Sequence, residues 1–125
     1  MSGVIERMYA LLDGPEPERS LDLLAADLRF SIVFSHGPGD AREFSGGRAE
    51  FDGYMAQRGA PTWTHHVLAQ SSDGNLEIAF GETRQDGAPL ATFVAAARLD
   101  EKGRIDRYFV GRSPGVLFQL EKDLN

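Results

Sequence analysis

The second half of the chain alternates between apolar and polar residues, and this period constrains the fold more than any other feature. The alternation begins at Trp63, and turn-forming residues interrupt it at 71–75, 86–87 and 100–103. A period of two is that of a β-strand with one buried face, whereas an amphipathic helix repeats every 3.6 residues. The pattern predicts an antiparallel meander of four long strands, over 63–69, from 76 onward, over 90–99 and over 104–110.

The first half of the chain has mainly helical periods. The expected elements are a helix over 4–12, a second short helix over 17–26, a half-buried strand over 28–35, a brief strand over 42–45 and a third helix over 51–58. Ser2 is a candidate N-cap of the first helix, and Gly14-Pro15 ends it. A short C-terminal helix is expected after Ser113, because Pro114 suits a first helical turn.

This order of elements predicts the α+β class, with three helices closing the concave side of a cone-shaped, strongly curved antiparallel sheet of six strands. The residues that we expect to be buried are Phe30, Ile32, Phe51, Trp63 and Ile78. A chain of 125 residues is near the usual size of one domain, so we expect a single domain over 1–125.

The charge and the absence of cysteine narrow the function classes. Lys and Arg total 13 against 19 Asp and Glu, and the net charge of -6 repels phosphate backbones and anionic lipids. We therefore expect neither a nucleic-acid nor a membrane partner. Without cysteine there is no disulfide, thiolate zinc site or cysteine nucleophile, which fits a reducing compartment. Because the sequence has no long apolar run, we expect a cytoplasmic protein. We also expect that it needs no metal or cofactor.

Four short motifs, in their order and spacing, resemble the SnoaL-like and ketosteroid-isomerase-like branches of the nuclear transport factor 2-like superfamily. The motifs are Ala26-Asp27-Leu28-Arg29-Phe30, Ser45-Gly46-Gly47, His65-His66-Val67 and Gly103-Arg104-Ile105. The resemblance covers almost the whole chain and implies a cone whose open end admits a small apolar ligand. It implies no single activity, because members include isomerases, dehydratases, cyclases, epoxide hydrolases and non-enzymatic binding or dimerisation domains.

The resemblance also implies where functional residues would fall. The base aspartate of the isomerases falls at Ser35-His36, their acidic hydrogen-bond donor near Ala95, and their helix-one tyrosine at 8–9. The Arg-x-Asp pair of the epoxide hydrolases falls at 82–84, where the charges are reversed. The dehydratase branch works with two histidines and is the nearest chemical analogue, since His36 and His65 are both available.

The candidate catalytic residues are His65, His36 and Glu82, and the candidate ligand-binding residues are Tyr9, Phe34, Tyr54, Trp63 and Arg84. His65 alternates with Trp63 and therefore faces the core, where an imidazole can transfer protons near neutral pH; a buried neutral core histidine is the alternative. His36 is either a catalytic or an exposed loop residue. Glu82 and Arg84 share one strand face, as an acid and an oxyanion anchor in the cavity or as a solvated ion pair.

Two functions of different class remain open. One is a cofactor-independent lyase or isomerase acting on a small hydrophobic carbonyl or hydroxyl compound, and the other is a non-catalytic ligand-binding or dimerisation module. The strand 90–99 is apolar on both faces. An antiparallel sheet solvated on one side should show polar residues there, so we expect a homodimer through the convex face of the sheet.

Overall fold

The computed structural model describes residues 3–35, 39–57 and 62–118. The elements are α1 (Val4–Leu12), a 3₁₀ helix (Pro17–Leu23), β1 (Leu24–Ser35), β2 (Ala41–Gly47), α2 (Arg48–Gln57), β3 (Thr64–Asp73), β4 (Leu76–Gln85), β5 (Ala88–Leu99) and β6 (Ile105–Ser113). Six strands and three helices in this order confirm the predicted α+β class. Neither α-helix, among these described residues, has the length and apolar run needed to cross a bilayer.

The six strands form one curved sheet in the order β2-β1-β6-β5-β4-β3. The meander β3 to β6 is antiparallel, as the alternation predicts. The expectation of an entirely antiparallel sheet is wrong for one pair, because β1 lies parallel to β6. Parallel neighbours need a long connection, which the intervening helix and four strands supply. Strands β2 and β3 are the two edges, so the sheet stays open.

The two faces of the sheet differ in what covers them. The concave face packs against α1 and α2, and the core between them contains Ile5 and Met8 from the first helix, Phe51 from the second, and Phe30 and Phe93 from the sheet. The opposite, convex face carries exposed apolar side chains, including Ile78, Val94 and Phe109. The concave face is therefore the only one of the two that the chain's own helices bury within the described ranges.

Helix α1 obtains its N-terminal cap from the sheet. Its N-cap residue is Gly3, which has no side chain, and the cap predicted at Ser2 lies outside the described residues. The backbone N–H groups of Val4 and Ile5 instead donate to the buried carboxylate of Glu77 on β4, at 3.0 and 2.9 Å. A carboxylate is the favourable charge at this end of a helix dipole, so Glu77 fixes α1 on the sheet.

The side chains of β4 point to the opposite faces of the sheet from those predicted. Its concave side carries Glu77, Ala79 and Thr83, which are buried, whereas Ile78 is 44% exposed on the convex face. The expectation that Ile78 is buried is therefore wrong. Phe93 and the β3 backbone lie so close to Gly81 that a Cβ there would collide with both, so this side of β4 has no room for a side chain at that position.

The other four residues expected to be buried are on the concave side. Phe30 and Phe51 are 4% and 2% exposed. Ile32 and Trp63 are half-buried, because they line a cavity rather than the closed core.

Several element bounds differ from the predicted ones. The second helix is 3₁₀ and ends at Leu23, so β1 begins four residues earlier than expected. Ser113 ends β6 and its hydroxyl accepts the N–H of Gly115, so the predicted tail helix does not begin there. Residues 119–125, which include most of that helix, lie outside the described residues.

The Glu77 cap makes a testable contribution to stability. Replacing Glu77 with Gln puts an amide NH₂ against one of the two backbone N–H groups, which leaves that buried donor unpaired. We expect E77Q to lower the free energy of unfolding by about 1–3 kcal/mol. The measurement is urea unfolding followed by circular dichroism. The control is E101Q, an exposed turn residue whose loss should change stability by less than about 0.5 kcal/mol; an equal effect of the two substitutions would contradict the capping role.

Candidate functional site

A cavity of about 260 Å³ lies between the two α-helices and the concave face of the sheet. Its walls are mainly aromatic and aliphatic. The lining residues are Met8, Tyr9, Leu12, Ile32, Phe34, Phe51, Tyr54, Met55, Trp63, His65, Phe93, Tyr108, Val110 and Arg112. Such a chamber, apolar with a few polar groups, is the usual form of a small-molecule site.

His65 is held in the cavity wall by Asp13, the C-cap residue of α1. One carboxylate oxygen of Asp13 accepts the backbone N–H of His65 at 2.6 Å, and the other lies 3.1 Å from the ring Nδ1. An ionised carboxylate can only accept, so Nδ1 carries the proton in this pair. When the ring is neutral, the lone pair is on Nε2, and no residue in the described part of the chain hydrogen-bonds to that nitrogen.

The His65 ring also stacks on Tyr9. The two ring centroids are 4.1 Å apart and the planes differ by 3°. Trp63 and Phe93 meet the imidazole edge-on, at centroid distances of 5.0 and 5.7 Å. With Asp13 on one nitrogen and aromatic rings on three sides, the imidazole has a fixed orientation, which is the preorganisation that proton transfer requires.

Two tyrosine hydroxyls form the second polar feature of the cavity. The hydroxyls of Tyr9 on α1 and Tyr108 on β6 are 2.7 Å apart, and both residues are buried. Burial raises the pKa of each above the usual 10.0. Both are therefore protonated at neutral pH, and since one hydroxyl donates to the other, the pair keeps one proton that it can donate elsewhere.

Arg112 is the third polar group, and it lies against Trp63. The guanidinium carbon is 4.7 Å from the centroid of the indole ring, a cation–π contact. Burial lowers the pKa of Arg112 below its usual value, although the guanidinium stays charged.

The structure brings together most of the sequence-predicted site residues. Tyr9, Phe34, Tyr54, Trp63 and His65 all line the cavity. His36 lies outside the described residues, so its placement stays a prediction. The roles assigned to all of these residues remain predictions as well.

Glu82 and Arg84 are not in the cavity. They lie on the convex side of β4, where the Nε of Arg84 donates to the carboxylate of Glu82 at 2.8 Å. The pair is not solvated either, because Glu82 is only 3% exposed. Their spacing of two residues correctly predicts that both side chains lie on one face of the strand, but this face of β4 points away from the cavity. His66, the cross-strand neighbour of Glu82, lies on the same side.

Three polar residues of the site, Asp13, Tyr108 and Arg112, are not predicted from the sequence. The sequence patterns assign no role to Asp13, which precedes Gly14-Pro15, or to Tyr108, which lies within the strand predicted over 104–110. Arg112 lies beyond Val110, where the predicted strand ended, yet it continues the alternation of Tyr108 and Val110. Extending that strand past Gly111 would have placed Arg112 on the cavity side.

The side chains described here contain no group of three or more His, Cys, Asp or Glu residues that could hold a metal ion. The polar side chains that line the cavity include His65, which Asp13 holds, the paired Tyr9 and Tyr108, Tyr54 and Arg112. That the protein needs no metal or cofactor stays a prediction.

Comparison with known proteins finds similarity in structure but not in sequence. No protein-family model matches the chain, and no curated protein matches it. Among solved structures, a proposed isomerase of the SnoaL-like family from Agrobacterium tumefaciens is 17% identical, with a TM-score of 0.65 over 87% of this chain and 93% of that one.

Two further structures give the same result. A proposed ketosteroid isomerase from Kribbella flavida is 18% identical, with a TM-score of 0.65 over 91% of this chain and 77% of that one. An NTF2-like protein of unknown function from Burkholderia xenovorans is 14% identical, with a TM-score of 0.67 over 91% and 83%. At such identities the likeness shows the fold alone. The resemblance to SnoaL-like, ketosteroid-isomerase-like and NTF2-like proteins is confirmed at that level.

The tyrosine pair predicts how stability depends on pH. The folded state keeps two protons that the unfolded state releases above pH 10.0, so the free energy of unfolding should fall as the pH rises beyond that value. We expect the tyrosinate absorbance of Tyr9 and Tyr108 to appear only together with the loss of native circular dichroism. Y108F should remove part of this signal. Ionisation of all three tyrosines while the protein is still native would contradict the prediction.

Proposed function

We propose that the cavity binds a small, mainly apolar molecule with a carbonyl or hydroxyl group and that His65 transfers a proton to or from it. The proposed reaction class is a cofactor-independent isomerase or lyase. The observation that carries the proposal is the hydrogen bond between Asp13 and His65 in the wall of a mainly apolar cavity. A histidine that is merely part of the core needs no carboxylate partner on a different element.

The proposed step is removal of a proton from a carbon next to a carbonyl. Nε2 of His65 accepts the proton, and Asp13 stabilises the imidazolium that forms. The negative charge moves to the carbonyl oxygen, which the free proton of the Tyr9–Tyr108 pair can hydrogen-bond. Returning the proton to another carbon is an isomerisation, and returning it to a leaving hydroxyl releases water, as in a lyase.

The size of the cavity limits the substrate. A dry apolar cavity of about 150 Å³ holds one benzene molecule, whereas this cavity is about 260 Å³. A single substituted ring or a fused bicycle fits that volume. The proposed substrate is therefore a compact cyclic ketone or hydroxy compound.

We also propose that the protein is a homodimer through the convex face. Ile78, Val94 and Phe109 form an apolar patch there, and each is 44% to 46% exposed. Nearby, Phe118 from the end of the described chain packs edge-on against Phe80 at a centroid distance of 4.9 Å. A second copy of the chain, presenting the same patch, would remove the remaining apolar surface from water.

The proton-transfer proposal can be tested without knowing the natural substrate. The probe is 2-tetralone, a fused bicyclic ketone, whose α-protons exchange with D₂O and are followed by proton NMR. We expect the protein to accelerate this exchange and H65Q to slow it by roughly a hundredfold or more, the usual scale of a lost general base. D13N should have a similar effect, because an amide donor at Nδ1 forces the proton onto Nε2.

The matched control is H66Q, which removes the neighbouring imidazole on the opposite face of β3 and should leave the exchange rate unchanged. Thermal shift by 2-tetralone reports binding separately. A ligand-induced shift without accelerated exchange would leave the binding module as the function. If H65Q lowers the melting temperature while the thermal shift and exchange rate stay as in the wild type, His65 is a core residue and the proposal fails.

The dimer proposal is tested by light scattering at micromolar concentration. We expect the wild type to have twice the mass of the chain and V94K to be a monomer, because a lysine within the patch cannot be buried without a partner. L68K is the control, since Leu68 is comparably exposed but lies on the edge strand outside the patch. A monomeric wild type would exclude this interface.

A further inference from the structure

Arg112 is the basic residue in the wall of the cavity, and its surroundings are aromatic. Its neighbours across the adjoining strands are Phe34 on β1 and Phe93 on β5. The indole of Trp63 covers one face of the guanidinium. None of these neighbours can accept a charged hydrogen bond in the plane of the guanidinium.

No carboxylate offsets this charge in the part of the chain that the structure describes. Within residues 3–35, 39–57 and 62–118, five other arginines form ion pairs with acidic side chains, namely Arg19, Arg42, Arg48, Arg84 and Arg98. Arg112 makes neither an ion pair nor a hydrogen bond with any side chain that the structure describes, although the chain has more acidic than basic side chains. A partly buried charge without a counter-ion is costly, and burial already lowers the pKa of this guanidinium.

The geometry leaves the guanidinium ready for an anion. The guanidinium carbon lies over the indole ring, and a carboxylate can bind a planar guanidinium through two parallel hydrogen bonds. The indole that covers Arg112 also contacts His65 edge-on, so one tryptophan ring separates the cation from the proposed base. A ligand in the cavity can therefore reach both groups.

We propose that the ligand of this cavity is a small cyclic carboxylate whose carboxylate binds Arg112 while its ring lies against the aromatic walls. This inference rests on the proposed function for the location of the site and adds the charge of the ligand. One ring with a short acidic arm fits within the volume of about 260 Å³. The carbonyl or hydroxyl oxygen of such a ligand can then lie at the tyrosine pair.

The test compares phenylacetate with phenylacetamide, which has the same shape but no charge, by isothermal titration calorimetry. We expect the wild type to bind the acid about tenfold or more tightly than the amide, the scale of a hydrogen-bonded charge pair. R112Q should remove this preference and change the affinity for the amide by less than about threefold. R112K, which keeps a charge but not the planar fork, should keep part of the preference. R7Q, an exposed arginine on α1, is the control and should behave as the wild type.

The preference of the wild type needs no variant, so the test survives if R112Q does not fold. Equal affinity of the wild type for acid and amide would overturn the inference, and so would a preference for the acid that persists in folded R112Q. Neither result would contradict the proposal that the cavity binds an apolar ligand. Absence of binding of either compound at millimolar concentration would overturn both the inference and the proposed cavity ligand. A preference for the acid without exchange of 2-tetralone protons would support the inference while rejecting the proposed catalysis.

Discussion

The position of α1 depends on a carboxylate at each of its ends, and the cavity depends on α1. At the N-terminus, Glu77 accepts two backbone N–H groups, where the helix dipole favours a negative charge. At the C-terminus, Asp13 is at the end where the dipole disfavours one. Its two bonds to His65 offset that cost and connect the helix to β3. A charge that opposes the helix but organises a cavity histidine is the kind of local conflict expected at a functional site.

Local patterns were sufficient to predict the elements but not their faces. The helical stripe over 4–12 and the turn at Asp86-Gly87, where both φ angles are positive, follow from the residues themselves. The direction in which β4 faces does not. Its larger apolar residues point outward because α1 and Phe93 occupy the space on the other side, and no property of β4 alone reveals this. The irregular register of β3 at Leu68 has a similar effect, since it separates Ala69 from the cavity side of Val67.

The site was predictable to the extent that it consists of apolar walls. Tyr54, Trp63 and His65 follow from the periods of single elements, because a residue on the inner face of an element next to a cavity lines that cavity. The polar partners come from contacts between distant parts of the chain. Asp13 is 52 residues from His65, and the two tyrosine hydroxyls are 99 residues apart. The parallel alignment of β1 with β6, which places Phe34 beside Arg112, is equally nonlocal.

The origin of the α1 cap has a consequence for the order of events during biosynthesis. A helix of nine residues is not stable alone in water. Its capping residue Glu77 lies 73 positions after Val4 and 72 positions after Ile5, the two residues whose N–H groups it accepts. At roughly 5–20 residues per second, the ribosome needs several seconds to reach Glu77 after α1 has been made. The segment that supplies Tyr9 and Asp13 is thus expected to remain unstructured on the nascent chain until β4 has emerged. A partly synthesised chain would expose the apolar stripe of α1 during that interval, and chaperones could bind this stripe before the cavity has formed.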